Sequence, residues 1–420
     1  MKTRFGVLAT SLLLAQPLHA ANGLVASEPQ QAAAPADGEA AAAPVSEPVS
    51  LTKAMDIPGV STRLDLTGIA QGMVSGDGDD SVRFTGRADL FVDVSSKGLG
   101  WWDGTILRTH TELRQNSDNA AGVGGALWPQ NIAAVLPLTG EGIELTSLYI
   151  VQNLGAKTNL MLGKINAVDL LAGDPFFGGW GIKRFHNLAF VAPPSGVVPP
   201  VIMGAILAHQ AGDVGITLMV FDPEDRAGDY WFNGLFATGL NASLGATWKG
   251  KWSGRDSSFG VTATGSTSRG TDFEDILAPP GLEGGTREGS YNFAVQFGHD
   301  LSGSVKESSH VGIYGKAAVA DGNPNLIKSS FVGGLAGHGL VAGRSGDRWG
   351  IGVYYYDFSD VLQDVTDPLV EFDDERGLEA WYSFALGGNV DLTFNAQLVD
   401  PARGERDVAT ILGARLAAHF

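Results

Sequence analysis

The residues of this chain that could do chemistry recur at every second position. Arg83, Arg87 and Asp89 share one parity of a short segment, and Arg108, His110, Glu112 and Arg114 share one parity of the next. Spacing by two places such side chains on one face of a strand. Lys164, Asn166 and Asp169 extend the set. Two longer segments add candidates: Asn116 to Gly142 holds Trp128, Pro129, Gln130 and Asn131, and Ala167 to Pro200 holds Phe176, Phe177, Trp180, Lys183, Arg184, Phe185, His186 and Asn187. Guanidinium forks and carboxylates can exchange the hydration of a hydroxyl-rich solute for fixed hydrogen bonds. Aromatic faces can stack on the apolar C–H faces of the same solute. The plainer alternative is that the charges pair with one another in water and the aromatics pack loops against a wall.

Bond-making chemistry finds no comparable pattern. Gly245 to Lys251 imitates a phosphate-binding loop, yet Trp252 stands where Ser or Thr is needed. Asp77-Gly78-Asp79-Asp80 opens like a calcium loop and lacks the later Gly and Glu. Neither a zinc-protease HExxH nor a GxSxG nucleophile turn is present. The histidines are scattered, and nothing joins one to a nucleophile. No catalytic residue, metal or cofactor is therefore assigned, and an outer-membrane hydrolase is a minor reading.

The elements that must position the charged residues are strands. From about Arg63 onward apolar and polar residues alternate, and some sixteen segments approach the ~9–11 residues of a tilted membrane-spanning strand. Expected starts are Arg63, Val82, Thr105, Ile143, Asn159, Val201, Val214, Leu240, Ser258, Ser290, His310, Ser329, Arg348, Gly377, Val390 and Asp407. The last is the clearest: Val408, Thr410, Leu412, Ala414, Leu416, Ala418 and Phe420 take one face, while Ile411, Arg415 and His419 take the other. Connections alternate in length. Gly155-Ala156, Gly212-Asp213, Gly250 to Asp256, Ser302 to Glu307, Gly346-Asp347 and Gly387-Gly388 read as tight turns. Asn116 to Gly142, Ala167 to Pro200, Pro223 to Gly239, Arg269 to Gly289 and Ser359 to Arg376 read as long external loops. Short periplasmic turns opposite long external loops describe an all-β, transmembrane, antiparallel up-and-down barrel. Trp101, Trp102, Tyr149, Trp248, Trp349 and Trp381 read as aromatic strand ends. A barrel of this size can hold an aqueous lumen, and at least one long loop is expected to fold into it. A soluble sandwich or β-helix is the competing architecture.

Composition agrees. The chain has 420 residues, 58 of them Gly, no Cys and 18% charged residues. After the N-terminus, no stretch has the roughly 20 apolar residues of a membrane helix. Lys2 and Arg4, the apolar run Phe5 to Ala15, and Leu18-His19-Ala20 read as a removable signal peptide over residues 1–20. Residues 21–60, rich in Ala and Pro, read as a periplasmic tether, and residues 61–420 as the barrel. A net charge of −18 argues against nucleic acid as a partner. The expected surroundings are outer-membrane lipid of a Gram-negative-type bacterium, with the barrel-insertion machinery engaging the terminal Phe420.

Several pieces in order resemble the OprB-type carbohydrate-selective porins: Gly100-Trp101-Trp102-Asp103-Gly104, Gly163-Lys164-Ile165-Asn166 with Asp169, and Phe185-His186-Asn187 with Phe190. Tyr354-Tyr355-Tyr356, Asp374 to Tyr382, Leu392-Thr393, Gln397, Asp400-Pro401 and Leu412 to Leu416 complete the match. Trp381-Tyr382 stands where members usually show Phe-Tyr. The resemblance implies a sixteen-stranded barrel and passive uptake of glucose-like sugars through a constriction that includes arginines. It marks Arg83, Arg87, Arg108 and Lys164 as candidates by position. A general or anion-preferring porin is the alternative, and an adhesin-like barrel a non-transport one.

Overall fold

The structure, a computed structural model, describes residues 57–115, 126, 130–134, 142–179, 182–191, 198–229, 232–277 and 284–420. The signal-peptide reading, nearly all of the tether, and Trp128, Pro129 and Trp180 lie outside the described residues. The strands are β1 (Val60–Ser75), β2 (Arg83–Ser95), β3 (Thr105–Gln115), β4 (Gly142–Gly155), β5 (Thr158–Asn166), β6 (Val201–Ala211), β7 (Val214–Phe221) and β8 (Asn241–Trp252). They continue as β9 (Arg255–Thr271), β10 (Thr286–Gly303), β11 (His310–Ala320), β12 (Ile327–His338), β13 (Arg348–Phe358), β14 (Glu375–Ala385), β15 (Val390–Asp400) and β16 (Ala409–His419). Every strand pairs antiparallel with its sequence neighbours, and β1 pairs with β16 to close the barrel. Closure leaves no strand edge facing lipid, the one sheet arrangement a bilayer tolerates.

The seam is held on both rows of groups. Leu64 and Phe420 exchange backbone hydrogen bonds of 3.0 and 2.9 Å, and His419 Nδ1 lies 2.8 Å from Asp65 Oδ1. In β16 the expected parity appears as an inverted burial pattern: Leu412 and Leu416 are about half exposed on the outside, while Ile411 and Arg415 are buried inside. Apolar side chains face outward because lipid solvates them; polar ones turn inward to water and to one another.

Observed strand starts depart from the expected ones by at most four residues, the largest offset being β10, which begins at Thr286. Turns differ more. The expected Gly250 to Asp256 turn contracts to Ser253-Gly254, whose φ angles of 51° and 79° give the two-residue hairpin that matches strand twist. The tight turn placed at Gly346-Asp347 is instead the longer connection 339–347, and the Arg269 to Gly289 loop narrows to residues 272–285 because β9 and β10 extend beyond the bilayer pattern.

Two aromatic assignments are corrected. Tyr149 and Trp381 do not belong to an outer girdle; both are buried on the inward parity. They join a core inside the barrel, formed where residues 169–191 cross the lumen. Phe185 stacks on Phe190 at 4.3 Å and meets Trp381 edge-on at 5.8 Å; Phe176 stacks on Tyr314 at 5.3 Å. The wall makes room for them with small residues. A Cβ at Gly352 of β13 would sit 2.5 Å from the Phe190 ring, and one at Gly350 2.6 Å from Trp381 Nε1.

Candidate functional site

The lumen is narrowed by both early long loops. Residues 130–134 lie against β2 and β15: the Gln130 carbonyl accepts from Gln71 Nε2 and Gln397 Nε2, and the Ala133 carbonyl from Arg87. Residues 169–179 and 182–191 start beside β3 and reach β12 and β13, where α1 (Leu188–Val191) ends the crossing. There the Glu379 carboxylate accepts the backbone N–H groups of His186 and Asn187 at 2.7 and 2.9 Å. Asn187 Nδ2 donates to Gln397 Oε1 at 3.2 Å, and Arg415 donates to the Arg184 carbonyl at 3.0 Å. The two loops meet where Ile132 N–H donates to the His186 carbonyl.

A charge network fixes the near end of the crossing. Arg87 Nε donates to both oxygens of Asp89, and its fork lies 3.0 Å from Glu112. His110 stands between two carboxylates, with Nε2 3.0 Å from Asp89 and Nδ1 2.9 Å from Asp169, and its ring stacks on Phe91 at 3.9 Å. Since a neutral imidazole donates from one nitrogen alone, this arrangement suits an imidazolium. Glu112 also accepts from Thr146 and Asn166. A register shift in β4 after Leu145 turns both Thr146 and Ser147 inward, the first to Glu112 and the second to Asp169. Asp89, His110 and Glu112 have the spacing of a metal site. Arg87, between the two carboxylates, already supplies the cation, so the set reads as an ion-pair network and not a metal centre.

The candidates fall into three groups. Arg87, His110, Glu112, Asn166 and Asp169 come together in the network; Asn187 and Arg184 sit at the far anchor. Arg108 and Lys183 line a cavity of about 950 Å³ on the periplasmic side of the crossing. Arg83 and Lys164 stand apart. Arg83 pairs with Asp79 in the β1–β2 loop at 2.8 Å. Lys164 lies on the outward parity of Leu162, opposite Leu148, and donates to the carbonyls of Ala227 and Asp229 in the loop after β7. Alternation with Leu160 and Leu162 is the signal that could have placed it there. Glu379 and Gln397 are the site residues that sequence reasoning left without a role.

In the cavity, Arg108 forms a two-pronged pair with Asp93, both contacts 2.8 Å. Arg63 lies 3.8 Å over the Phe91 ring, so Arg63, Phe91 and His110 make one stack. Burial lowers the pKa of Lys183, against the pull of Asp65. At the far anchor, burial and then Arg415 push His186 down to about 4.

The family described as "Carbohydrate-selective porin, OprB family" matches residues 81–420. A search of curated protein sequences gave no match. Among solved structures, the high-pH form of Pseudomonas putida OprB superposes with a TM-score of 0.75 at 16% identity, covering 88% of this chain and 96% of that one. Its low-pH form gives 0.53 at 15% identity, covering 88% and 95%. A loop-deletion mutant of OmpT, an outer-membrane protein of Vibrio cholerae, gives 0.51 at 12% identity, covering 87% and 100%. Fold and family profile agree from β2 to β16, and the chain belongs to the OprB family of carbohydrate-selective porins.

Proposed function

We propose that this chain is an outer-membrane channel for passive diffusion of glucose-like sugars, with the lumenal crossing as its constriction. The supporting observation is the lining of the 950 Å³ cavity. It contains five basic residues (Arg63, Arg108, Lys183, Lys249, Lys251) and five acidic ones (Asp65, Asp93, Asp169, Asp256, Asp300), with the aromatic faces of Phe91, Tyr149 and Tyr314. A sugar offers donors and acceptors on every side and apolar C–H faces, which this mixture can meet. Paired charges also keep binding weak enough for release, as conduction requires. Balanced signs favour a neutral solute over the alternative of a general anion-preferring pore. Liposome swelling tests the reading: glucose should enter faster than a size-matched amino acid, and equal rates would refute sugar selectivity.

A further inference from the structure

The charges that balance over the whole cavity are unevenly spread along its wall, and Lys183 stands in the basic part. It stands on the crossing segment, half-buried, and lines the cavity together with Arg63 and Asp65. Asp65, Arg63, Arg184, Arg348 and His419 are among the groups that act on it electrostatically. The Asp65 carboxylate is already engaged, by His419 at 2.8 Å and by Arg63 at 3.3 Å. Arg348 in turn is held by Asp391 at 2.7 Å. The Lys183 ammonium therefore makes this part of the wall locally positive, although the cavity lining balances overall and the chain as a whole is acidic.

Arg63 lines the same cavity and acts on Lys183 electrostatically. Its Nε faces Asp65 and its plane rests on Phe91, which fixes the guanidinium while half of the side chain stays exposed to the cavity. A guanidinium held flat next to an ammonium is a site for a planar carboxylate, since the fork can meet two oxygens while the ammonium supplies a third donor. The remainder of the same cavity offers the hydroxyl-binding groups Asp93, Arg108 and Tyr149. We propose that Arg63 and Lys183 form a carboxylate subsite, so that the channel accepts sugar acids, aldonates and uronates, beside neutral sugars. This rests on the sugar-channel reading and deepens it.

Gluconate is the probe, and the full chain in planar bilayers and liposomes is the system. Gluconate added on the periplasmic side should reduce the ion current at concentrations where glucose has little effect. In Lys183→Gln the half-blocking concentration should rise about tenfold, the loss of one charge-assisted contact, and Lys183→Arg should restore most of it. Swelling rates should show the gluconate-to-glucose ratio falling in Lys183→Gln. Heat-modifiable gel migration reports whether each variant keeps its barrel, and Arg63→Gln, on the wall, is a second variant should the crossing segment misfold. Gluconate blocking no better than glucose, or equally in wild type and both Gln variants, overturns the subsite. Glucose entering normally without gluconate block would leave the sugar channel standing and remove this inference alone. Gluconate block without any glucose entry would instead remove the sugar-channel reading.

Discussion

Glu379 is where the crossing segment is most exposed to a single substitution. Its carboxylate accepts two backbone N–H groups, from His186 and Asn187, and a third contact from Asn395 Nδ2 at 3.2 Å. All are buried inside the barrel, where an N–H left without an acceptor costs about 1–3 kcal/mol. Glu379→Ala orphans two, so docking should weaken by ~2–6 kcal/mol. Arg415 on the Arg184 carbonyl and the packing of Phe185 against Trp381 would still hold part of the segment. Partial release is therefore expected, not loss of the barrel. Single-channel recordings should show a larger mean conductance with frequent flicker between levels. Glu379→Gln keeps one amide oxygen as acceptor and should fall between wild type and Ala. The barrel itself is checked by heat-modifiable migration on gels. Wild-type conductance and noise in Glu379→Ala, with an intact barrel, would refute the idea that this carboxylate anchors the constriction.

Three further outcomes follow from the same geometry. Arg87→Met removes the guanidinium shared by Asp89 and Glu112, both fully buried; breaking such a network costs about 3–5 kcal/mol, so the barrel should unfold at lower temperature in a gel-shift melt. Arg108→Gln leaves Asp93 in the cavity and turns five-to-five into one net negative charge, which should move the reversal potential in a salt gradient toward cation preference. Protonation of His186 opposes docking. Its docked value, about 4, lies below the ordinary 6.5, so the docked segment binds fewer protons than a released one. Docking stability is then complete above pH 6.5 and declines as pH falls toward 4, by roughly 3 kcal/mol in all. Conductance should become noisier over that window, and His186→Asn should abolish the dependence.

Strand parity was legible because each strand meets two different solvents. Leu412 and Leu416 against Arg415 already state which side faces lipid, and β1 to β16 repeat the statement. Tyr149 and Trp381 misled because an aromatic near an expected strand end has two uses, a girdle or a lumenal core. The choice lies in the parity of Leu148 and Ile150, not in residue type. The anchor was illegible for a different reason. Glu379 is 193 positions from His186, and no local pattern says that a carboxylate on β14 will cap backbone groups of a loop after β5. Thr146 and Ser147 both point inward only because of a register shift, which alternation as a rule denies. Arg87, Asp89, His110 and Glu112, by contrast, were recognisable as one face from spacing alone, and Asp169 as a further candidate; what spacing lacked was the contact of Asp169 with His110 that joins them to the crossing.

The distribution of charge along the lumen explains how one wall can be both a stable support and a selective surface. Where the crossing leaves the wall, Arg87, His110 and their carboxylates are buried and ion-paired with one another, so a passing solute does not reach them. Their role is to hold Asp169 and the start of the segment. On the periplasmic side Arg108 and Asp93 remain paired yet partly exposed, each with hydrogen-bonding capacity to spare. Such a pair can exchange a water for a hydroxyl without separating its charges, which limits both the gain on binding and the barrier to leaving. Charge discrimination then cannot come from these balanced pairs. On the carboxylate-subsite reading it comes from the locally positive part of the wall that holds Lys183 and Arg63. A cation carried on the crossing segment itself moves with that segment, so any release of the Glu379 anchor should alter anion discrimination together with pore width.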